Sequence, residues 1–554
     1  MPTVTLNRSV FEKLVGIKLS DEQLKDRISM LGTALENLSH EEIVVEVFPN
    51  RPDMLSEQGF ARAFSAFIGT KPGSHTYTAK KSGTYTKIEK VLEVWPHAVT
   101  CLVKGLKLND EKIREIIQLQ EKLGITLLRN RKKGGLGIYP LDKIKTPITF
   151  TTRNAEDILF RPLEYPHSIN GREILAKHPT GKRYGHIIEK EKEFPIFVDA
   201  EGTIMSMPPI INSHDVGKIS ESTTEVFVEA TGPNLHILTI ALMIFVTALA
   251  DMGGSIYSME IKYPKKIMTV PDFTPRKMTL DISYPNRILG LTLKEAEVKK
   301  FLEQMGYEYK NKIVSIPPYR ADILHPIDLV EDIGIAYGYE NIDAEIPRVA
   351  TIAEEAPLNR FITRITELLI GAGCQEVRSY HLISYDELCT KMSGVSKPIL
   401  LKNAPEDYSC LRNSIIPSIL KILAQNQHHD YPQHVFEVGT VFYHDSKSSE
   451  KTREQATLTI ALCDEKADLT SIRQIVDLFS RSLELSPSIT ELEHPSFIQG
   501  RAASAAIEGK QIAVFGEINP QVLANWGLVM PVAALEIDLD SLFAFVQQSE
   551  SKKQ

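Results

Sequence analysis

PPYRADILHPIDLVEDIGIAYGYENI, residues 317–342, sets four carboxylates (Asp322, Asp328, Glu331 and Asp332) within eleven residues, where an extended run passes into a helix. Pro326 suits the first turn of that helix, because the N–H it lacks is one the turn leaves unpaired anyway. Asp328, Glu331 and Asp332 then fall at i, i+3 and i+4, on one face near the positive end of the helix dipole. Asp322, from the preceding strand or loop, can come alongside. Spacing alone leaves two readings open. Acids at a helix start need no metal, and oxygens so grouped also suit magnesium, which takes a few carboxylates and keeps several waters.

Working outward, 554 residues exceed what one core serves and predict three or four domains. With 63 Lys and Arg against 71 Asp and Glu, nothing global marks a nucleic-acid binder, so any RNA contact must rest on local basic patches or a partner chain. The five cysteines never approach a Cys-x-x-Cys spacing, which argues against a zinc site or a disulfide framework and fits a reducing compartment. The N-terminus has no apolar run of signal-peptide type. The most apolar stretch, ILTIALMIFVTALA (237–250), has 14 residues, short of the ~20 a membrane span needs, and reads as a buried helix. The expectation is a soluble, cytoplasmic protein.

Four regions emerge. Residues 1–88 read as a small α/β unit: a helix starting at the capping box Ser20-x-x-Gln23 and stopping at Gly32, the strand EEIVVEVF, and a helix with Phe60, Ala63, Phe64 and Phe67 on one face. The polar KPGSHTYTAKKSGTYTK that follows reads as a loop or linker. Residues 90–262 alternate short strands with helices. Residues 272–345 are compact, with a second capping box at Thr292-x-x-Glu295 and a stripe of Val298, Phe301, Leu302 and Met305 ending at Gly306. Residues 355–550 mix helices with antiparallel strands around the turn EGKQ, and the tail QQSESKKQ reads as frayed.

Two further patterns carry chemistry. Arg129, Arg131, Lys132 and Lys133 form the densest basic cluster, fit either to contact phosphates or to sit as a solvated turn. In VFVEATG a strand places Phe227, Glu229 and Thr231 on one face. A carboxylate and a hydroxyl beside an apolar ring suit a pocket that recognises a phenol OH, although a half-exposed sheet shows the same alternation. Pro208-Pro209 would stiffen the facing wall, followed by Asn212 and Ser213. GGLG (134–137) lacks the lysine of a phosphate loop, TKMSGVS (390–396) has no His-x-Gly-His companion, and the adjacent histidines of NQHHD (426–430) do not point the same way on a helix.

Six ordered motifs carry a resemblance along essentially the whole chain: EVFPNRPDMLSEQGFARA (46–63), TLLRNRKKGGLGIYPLDKI (126–144), MPPIINS…TTEVFVEATG (207–232), the stretch at 317–342, LRNSIIPSILKILAQNQ…VFEVGTVF (411–442) and HPSFIQGRAA…FGEINPQVL (494–523). Together they resemble the β subunit of archaeal/eukaryotic-type phenylalanyl-tRNA synthetase. Starting at the first α/β unit, with neither an oligonucleotide-binding insert nor a C-terminal anticodon-type extension, points to the archaeal form.

The resemblance implies a multidomain α/β and α+β chain: an N-terminal α/β domain (1–88), a B3/B4-like editing domain (90–262), a B5-like domain of DNA-binding-like fold (272–345) and a degenerate class II synthetase-like antiparallel domain (355–550). It implies an α2β2 enzyme that joins phenylalanine to tRNA(Phe) with ATP on the α subunit. The β chain scaffolds α, helps bind tRNA and hydrolyses Tyr-tRNA(Phe). Val435 stands where a catalytic copy would carry an arginine, and no Gly-x-Gly-x-x-Arg follows, so no ATP-neutralising arginines are expected here. The resemblance further implies Mg2+ shared with α through Asp322, Asp328, Glu331 and Asp332, and an editing pocket in which Glu229 accepts the tyrosine hydroxyl while Thr231, Ser213 and Asn212 line the site or place the water. IIPSILKILA offers an apolar face for α. The rival readings are a stand-alone nucleic-acid-binding or regulatory protein built from the same modules, and an independent magnesium-dependent hydrolase.

Overall fold

The computed structural model describes residues 2–347, 353–394 and 397–553, and the chain divides into two compact units, Met1–Ile346 and Pro347–Gln554. Val395 and Ser396, which end the TKMSGVS stretch, lie outside the described residues.

The first unit opens with a three-stranded antiparallel sheet in which Glu42–Glu46 pairs with both Thr3–Asn7 and Ala34–Leu38. The helix Asp21–Met30 starts as its sequence demands. Ser20 Oγ accepts the Gln23 N–H at 3.2 Å and Gln23 Oε1 accepts the Ser20 N–H at 3.0 Å, so two otherwise orphaned donors are satisfied. The helix Glu57–Phe67 buries Phe60 and Phe64 against Phe11, with ring centroids 6.0 and 5.3 Å away. Fully burying such a side chain is worth about 1.5–3 kcal/mol.

Next comes a ten-stranded mixed sheet whose strands lie between Ala79 and Val270. Its working centre is Glu225–Gly232, antiparallel to His97–Lys104 on one side and to Gly135–Pro140 on the other. The polar stretch read as a linker is in part a strand: Ala79–Ile88 lies inside this sheet, parallel to both Ser255–Tyr263 and Ile148–Asn154. The sheet therefore begins before residue 90. Only Thr86 and Ile88 of that strand are buried, so its pattern carries little periodicity, and its partners lie far along the chain. The apolar stretch is the helix Leu235–Asp251, with ten buried residues spread around its circumference, as expected of a core helix. Among the described residues no helix is long and apolar enough to cross a membrane.

The end of this unit carries a small sheet of Arg276–Thr279, Glu308–Lys310 and Ile313–Ile316 with the helices Glu295–Gln304 and Pro326–Tyr337. Val298, Leu302 and Met305 are buried as the stripe required. Its helix starts two residues later than the predicted Thr292 cap: the Glu297 carboxylate accepts the Lys294 N–H at 2.8 Å, and Thr292 caps nothing.

A buried carboxyl pair ties three segments of the first unit together. Glu115 Oε1 accepts the Glu57 N–H at 2.5 Å, and Glu57 Oε1 accepts the Asn7 N–H at 2.6 Å. Burial, reinforced by the charge of Glu115, pushes Glu57 up to about 8, and burial pushes Glu115 up to about 7. Both folded values lie above the unfolded carboxyl range. Their contribution is therefore fully present below pH ~4.5 and is lost as pH rises through 7 to 8. The unfolding midpoint of this unit is expected to fall by roughly 5 °C between pH 5 and 8.5, the equivalent of about 2 kcal/mol. Glu57→Gln/Glu115→Gln should flatten that slope in thermal melts; an unchanged slope counts against the pair.

The second unit is built on a seven-stranded sheet, antiparallel except where Gln375–Glu376 joins its edge. Alternation along its strands sends Phe436, Leu458, Ile460 and Leu462 to one core and Val435, Ala461 and Cys463 to the other. Two expectations change here. IIPSILKILA, expected to offer an apolar face to a partner, forms the helix Ile416–Gln425 and spends that face on its own sheet, burying Ile416, Ile419, Leu420 and Leu423. The tail expected to fray is helical, Leu539–Lys553, anchored by Leu539, Leu542 and Val546 in the first of these cores.

Candidate functional site

The Glu225–Gly232 strand places Glu229 opposite Gly137 and Thr231 opposite Gly135. The glycine opposite Glu229 is required by space: a Cβ at Gly137 would overlap Glu229 Oε1 and lie 2.7 Å from the Tyr139 hydroxyl. Tyr139, two residues along the same strand face, is fully buried, with its ring 5.9 Å from that of Phe227. Its hydroxyl lies 3.0 Å from Asn212 Oδ1 and 3.3 Å from Glu229 Oε1 and has one proton to give. Burial pushes Glu229 up to about 8, against the Tyr139 hydrogen bond and the Arg131 charge, which pull it down. The Tyr139 hydroxyl, placed to donate to either Asn212 Oδ1 or Glu229 Oε1, links the two side chains.

Three polar atoms around this link have no hydrogen-bond partner among the described residues: Glu229 Oε2, Thr231 Oγ1 and Ser206 Oγ. The residues that carry them are 3%, 0% and 1% exposed. Ser206 lies beside the Tyr139 phenol without an aligned bond to it. An orphaned buried polar group costs about 1–3 kcal/mol, and three in one neighbourhood mark a place where a ligand's own polar group can be satisfied.

The structure thus joins Asn212 and Glu229 through Tyr139 and sets Thr231 on the same strand face. Ser213 follows Asn212 but turns its hydroxyl to the Asp215 N–H at 3.3 Å, closing its own turn. Tyr139, Ser206 and Gly137 were not singled out in the sequence. Alternation along GGLGIYP, with Gly135, Gly137 and Tyr139 on one face, was the available signal.

The basic cluster divides. Arg131 is a wall support: its Nη1 donates to the Pro209 and Ile210 carbonyls at 2.8 and 2.9 Å, and its guanidinium lies 4.4 Å from the Tyr184 ring centroid. It holds the segment that leads to Asn212. Arg129 and Lys132 are exposed and Lys133 is half-buried, on a turn where Arg129, Asn130 and Arg131 all take left-handed φ of 48–61°. That turn can present the remaining cations to a phosphate backbone.

The four carboxylates of 317–342 do not meet as a ligand set. Arg320 takes two of them, donating to Asp322 from Nε at 2.9 Å and Nη2 at 2.7 Å, and to Asp332 from Nη2 at 2.7 Å. The Tyr307 hydroxyl also donates to Asp332. Asp328 caps the helix, its Oδ2 accepting the Leu324 and His325 N–H groups at 2.7 Å each, and Glu331 is exposed. No cluster of three or more His, Cys, Asp or Glu suited to a metal exists among the described residues. With Asp322 and Asp332 both held by one guanidinium and Asp328 spent on the helix cap, this arrangement does not fit a magnesium ion held by this chain alone.

In the second unit Arg412 is likewise spent. It is 1% exposed, its Nη1 lies 2.8 Å from Glu437 Oε1 and 2.7 Å from Ser379 Oγ, and its Nε donates to the Thr440 carbonyl at 3.0 Å.

Residues 342–539 match the family model for the phenylalanyl-tRNA synthetase beta chain CLM domain, and residues 278–339 that for the tRNA synthetase B5 domain. The chain is 36% identical over 555 residues to a phenylalanine–tRNA ligase beta subunit from Pyrococcus horikoshii, covering 98% of this chain and 100% of that one. It is 36% identical over 553 residues to the corresponding subunit from Archaeoglobus fulgidus, covering 98% and 99%. A crystal structure of an N-terminal fragment of the phenylalanyl-tRNA synthetase beta-subunit from Pyrococcus horikoshii superposes with a TM-score of 0.59 at 35% identity, covering 61% of this chain and 99% of the fragment.

Proposed function

Since the chain belongs to the phenylalanine–tRNA ligase β-subunit family, we propose that it works beside a catalytic α subunit in an α2β2 assembly and clears tyrosine from mischarged tRNA(Phe). The observation that carries the editing reading is the set of three unpartnered buried oxygens around Tyr139, Glu229 and Asn212.

Tyrosine is phenylalanine plus one hydroxyl, and an apolar synthetic pocket rejects an added hydroxyl only about a hundredfold. A second pocket that needs the hydroxyl supplies the missing discrimination. Here a tyrosine OH would pair with the free edge of the Glu229 carboxyl and with Thr231. A phenylalanyl ring would leave both unsatisfied, at about 1–3 kcal/mol each. Asn212, through Tyr139, holds the carboxyl in place, and Arg131 holds the wall. Among the described residues the side-chain hydrogen bonds of Glu229, Tyr139 and Asn212 run only to one another and bring in no charged general base, so the attacking water would be held by backbone groups and by the terminal ribose of the tRNA.

Glu229→Ala in the assembled enzyme should slow Tyr-tRNA(Phe) hydrolysis about tenfold or more, the equivalent of roughly 1.4 kcal/mol, and should erase the Tyr-over-Phe preference. Phenylalanine charging should stay intact. Undiminished clearance with unchanged preference would overturn the assignment.

The remaining roles follow the same reading. Aminoacylation chemistry belongs to α, consistent with an Arg412 that faces Glu437 and is not free for ATP phosphates. The four-module division (1–88, 90–262, 272–345, 355–550) organises the chain, with the middle sheet extending to the strand at 79–88. The α subunit would dock around the small sheet of Leu382–Ile383, Ile399–Leu400 and Cys410–Leu411, where Tyr380, Tyr385, Leu400 and Tyr408 expose 74%, 49%, 65% and 38% of their surface. Any magnesium shared with α would draw on Asp328 and Glu331, the two carboxylates that Arg320 leaves aside. Arg129, Lys132 and Lys133 are the candidate tRNA contacts, and the place of work is the cytoplasm.

A further inference from the structure

Two Arg-x-Asp tripeptides fold into the same shape in different parts of the first unit. In FPNRPDM, Arg51 donates from Nε and Nη2 to Asp53 Oδ1 and Oδ2, both at 2.9 Å; in PPYRADI, Arg320 does the same to Asp322 at 2.9 and 2.7 Å. Each carboxylate grips one edge of its guanidinium and fixes its plane, so little side-chain freedom remains to be lost when a ligand is bound.

Both arginines line one cavity of about 320 Å³, together with Arg62 and Lys71. Its carboxylates, Asp53 and Asp251, are each already paired: Asp53 with Arg51, and Asp251 with Arg62 at 2.6 Å, the latter also accepting from Tyr77 at 2.8 Å. Of the four cations that line the cavity, Arg51 and Arg62 face these two acids and Arg320 is held by Asp322 and Asp332, so what the lining offers an anion is the charge of Lys71 and the guanidinium donors left without a partner. Arg51 Nη1 makes no hydrogen bond among the described residues, and neither do Arg62 Nε and Nη2. The Arg62 plane is fixed by stacking 4.3 Å above the Tyr319 ring. Lys71, exposed at the rim, spends Nζ on the Leu14 carbonyl and has protons to spare.

We propose that this cavity binds a small phosphate-bearing anion, of which free phosphate, diphosphate and a nucleoside monophosphate are the three sources. The free donors belong to separate elements, Arg51 before the turn Pro52–Met54, Arg62 in the helix Glu57–Phe67 and Lys71 beyond it, and a set of that kind suits a tetrahedral phosphate better than a planar carboxylate. The volume admits a group of nucleotide size but no folded macromolecule. The site is independent of the editing pocket and of Glu229.

The test titrates inorganic phosphate, diphosphate and AMP separately into the full chain by calorimetry. Saturable binding of at least one, with a Kd below about 1 mM, is expected. Lys71→Glu, which reverses charge at an exposed position, should weaken it about tenfold. The paired change Arg51→Gln/Asp53→Asn, which removes both charges at once, should abolish it. AMP binding more tightly than phosphate assigns the rest of the cavity to a nucleoside; phosphate or diphosphate binding as tightly assigns a free anion; either supports the site. Absence of saturable binding for all three probes, or binding that Lys71→Glu leaves unchanged, overturns it. Because Lys71 is a surface residue, that arm stands even if the paired variant fails to fold.

Discussion

Arg412→Ala is expected to destabilise the Pro347–Gln554 unit by about 3–5 kcal/mol, because it strands a buried carboxylate. Glu437 is 1% exposed, and its side chain meets Arg412 on one oxygen and the Ser379 hydroxyl, at 2.5 Å, on the other. Alanine removes the countercharge and leaves only that hydroxyl. It also opens a void against Gly439, where a Cβ would have overlapped the guanidinium. The two tryptophans lie one in each unit, Trp95 and Trp526, so Trp526 emission in a Trp95→Phe background reports on this unit alone. Urea unfolding followed that way should show the loss, and Arg412→Met/Glu437→Leu should recover most of it by removing both charges. A midpoint for Arg412→Ala within about 0.5 kcal/mol of the parent would show that the pair contributes little.

Arg320→Ala carries an expected cost of similar size, about 3–5 kcal/mol, in the Met1–Ile346 unit. Arg320 is 3% exposed, holds Asp322 and Asp332 at once, donates from Nη1 to the Met305 carbonyl at 3.2 Å and lies 4.9 Å from the Tyr307 ring centroid. Without it Asp332 is left buried with only the Tyr307 hydroxyl, and Asp322 with only the more distant charge of Arg51. Burial alone would raise Asp322; the guanidinium outweighs it and holds that carboxyl below its usual range. Trp95 emission reports on this unit. Arg320→Met/Asp322→Asn/Asp332→Asn should regain most of the loss, since no uncompensated charge remains. If magnesium rather than Arg320 balanced these acids, Arg320→Ala would lose little and added Mg2+ would raise the midpoint.

How far these features could be read in advance differs from residue to residue. The Ser20–Gln23 capping box, the Pro326 helix start and the Leu235–Asp251 helix were legible because each depends on residues within one or two turns. The pairing of Glu229 with Thr231 on one face was legible for the same reason, as strand alternation has a period of two. The strand Ala79–Ile88 was not, because its Gly, Ser and Lys residues argue for a loop and only pairing with Ser255–Tyr263 and Ile148–Asn154 makes it a strand. Tyr139 went unnoticed because its partners Asn212 and Glu229 lie 73 and 90 residues away.

The acidic stretch at 317–342 shows where the division falls. By itself the sequence determined the helix, its cap, the face the acids share and, with the other motifs, the family. Only the tertiary structure decided what those acids do. Asp332 reaches Arg320 across 12 residues and Tyr307 across 25, and Arg412 finds Glu437 in the same way on another sheet. Helices and caps are set by hydrogen bonds between near neighbours in the chain. The partner of a buried charge is set by which segments the core brings together, because in a desolvated interior an ion must be matched by whatever countercharge lies within a few ångströms.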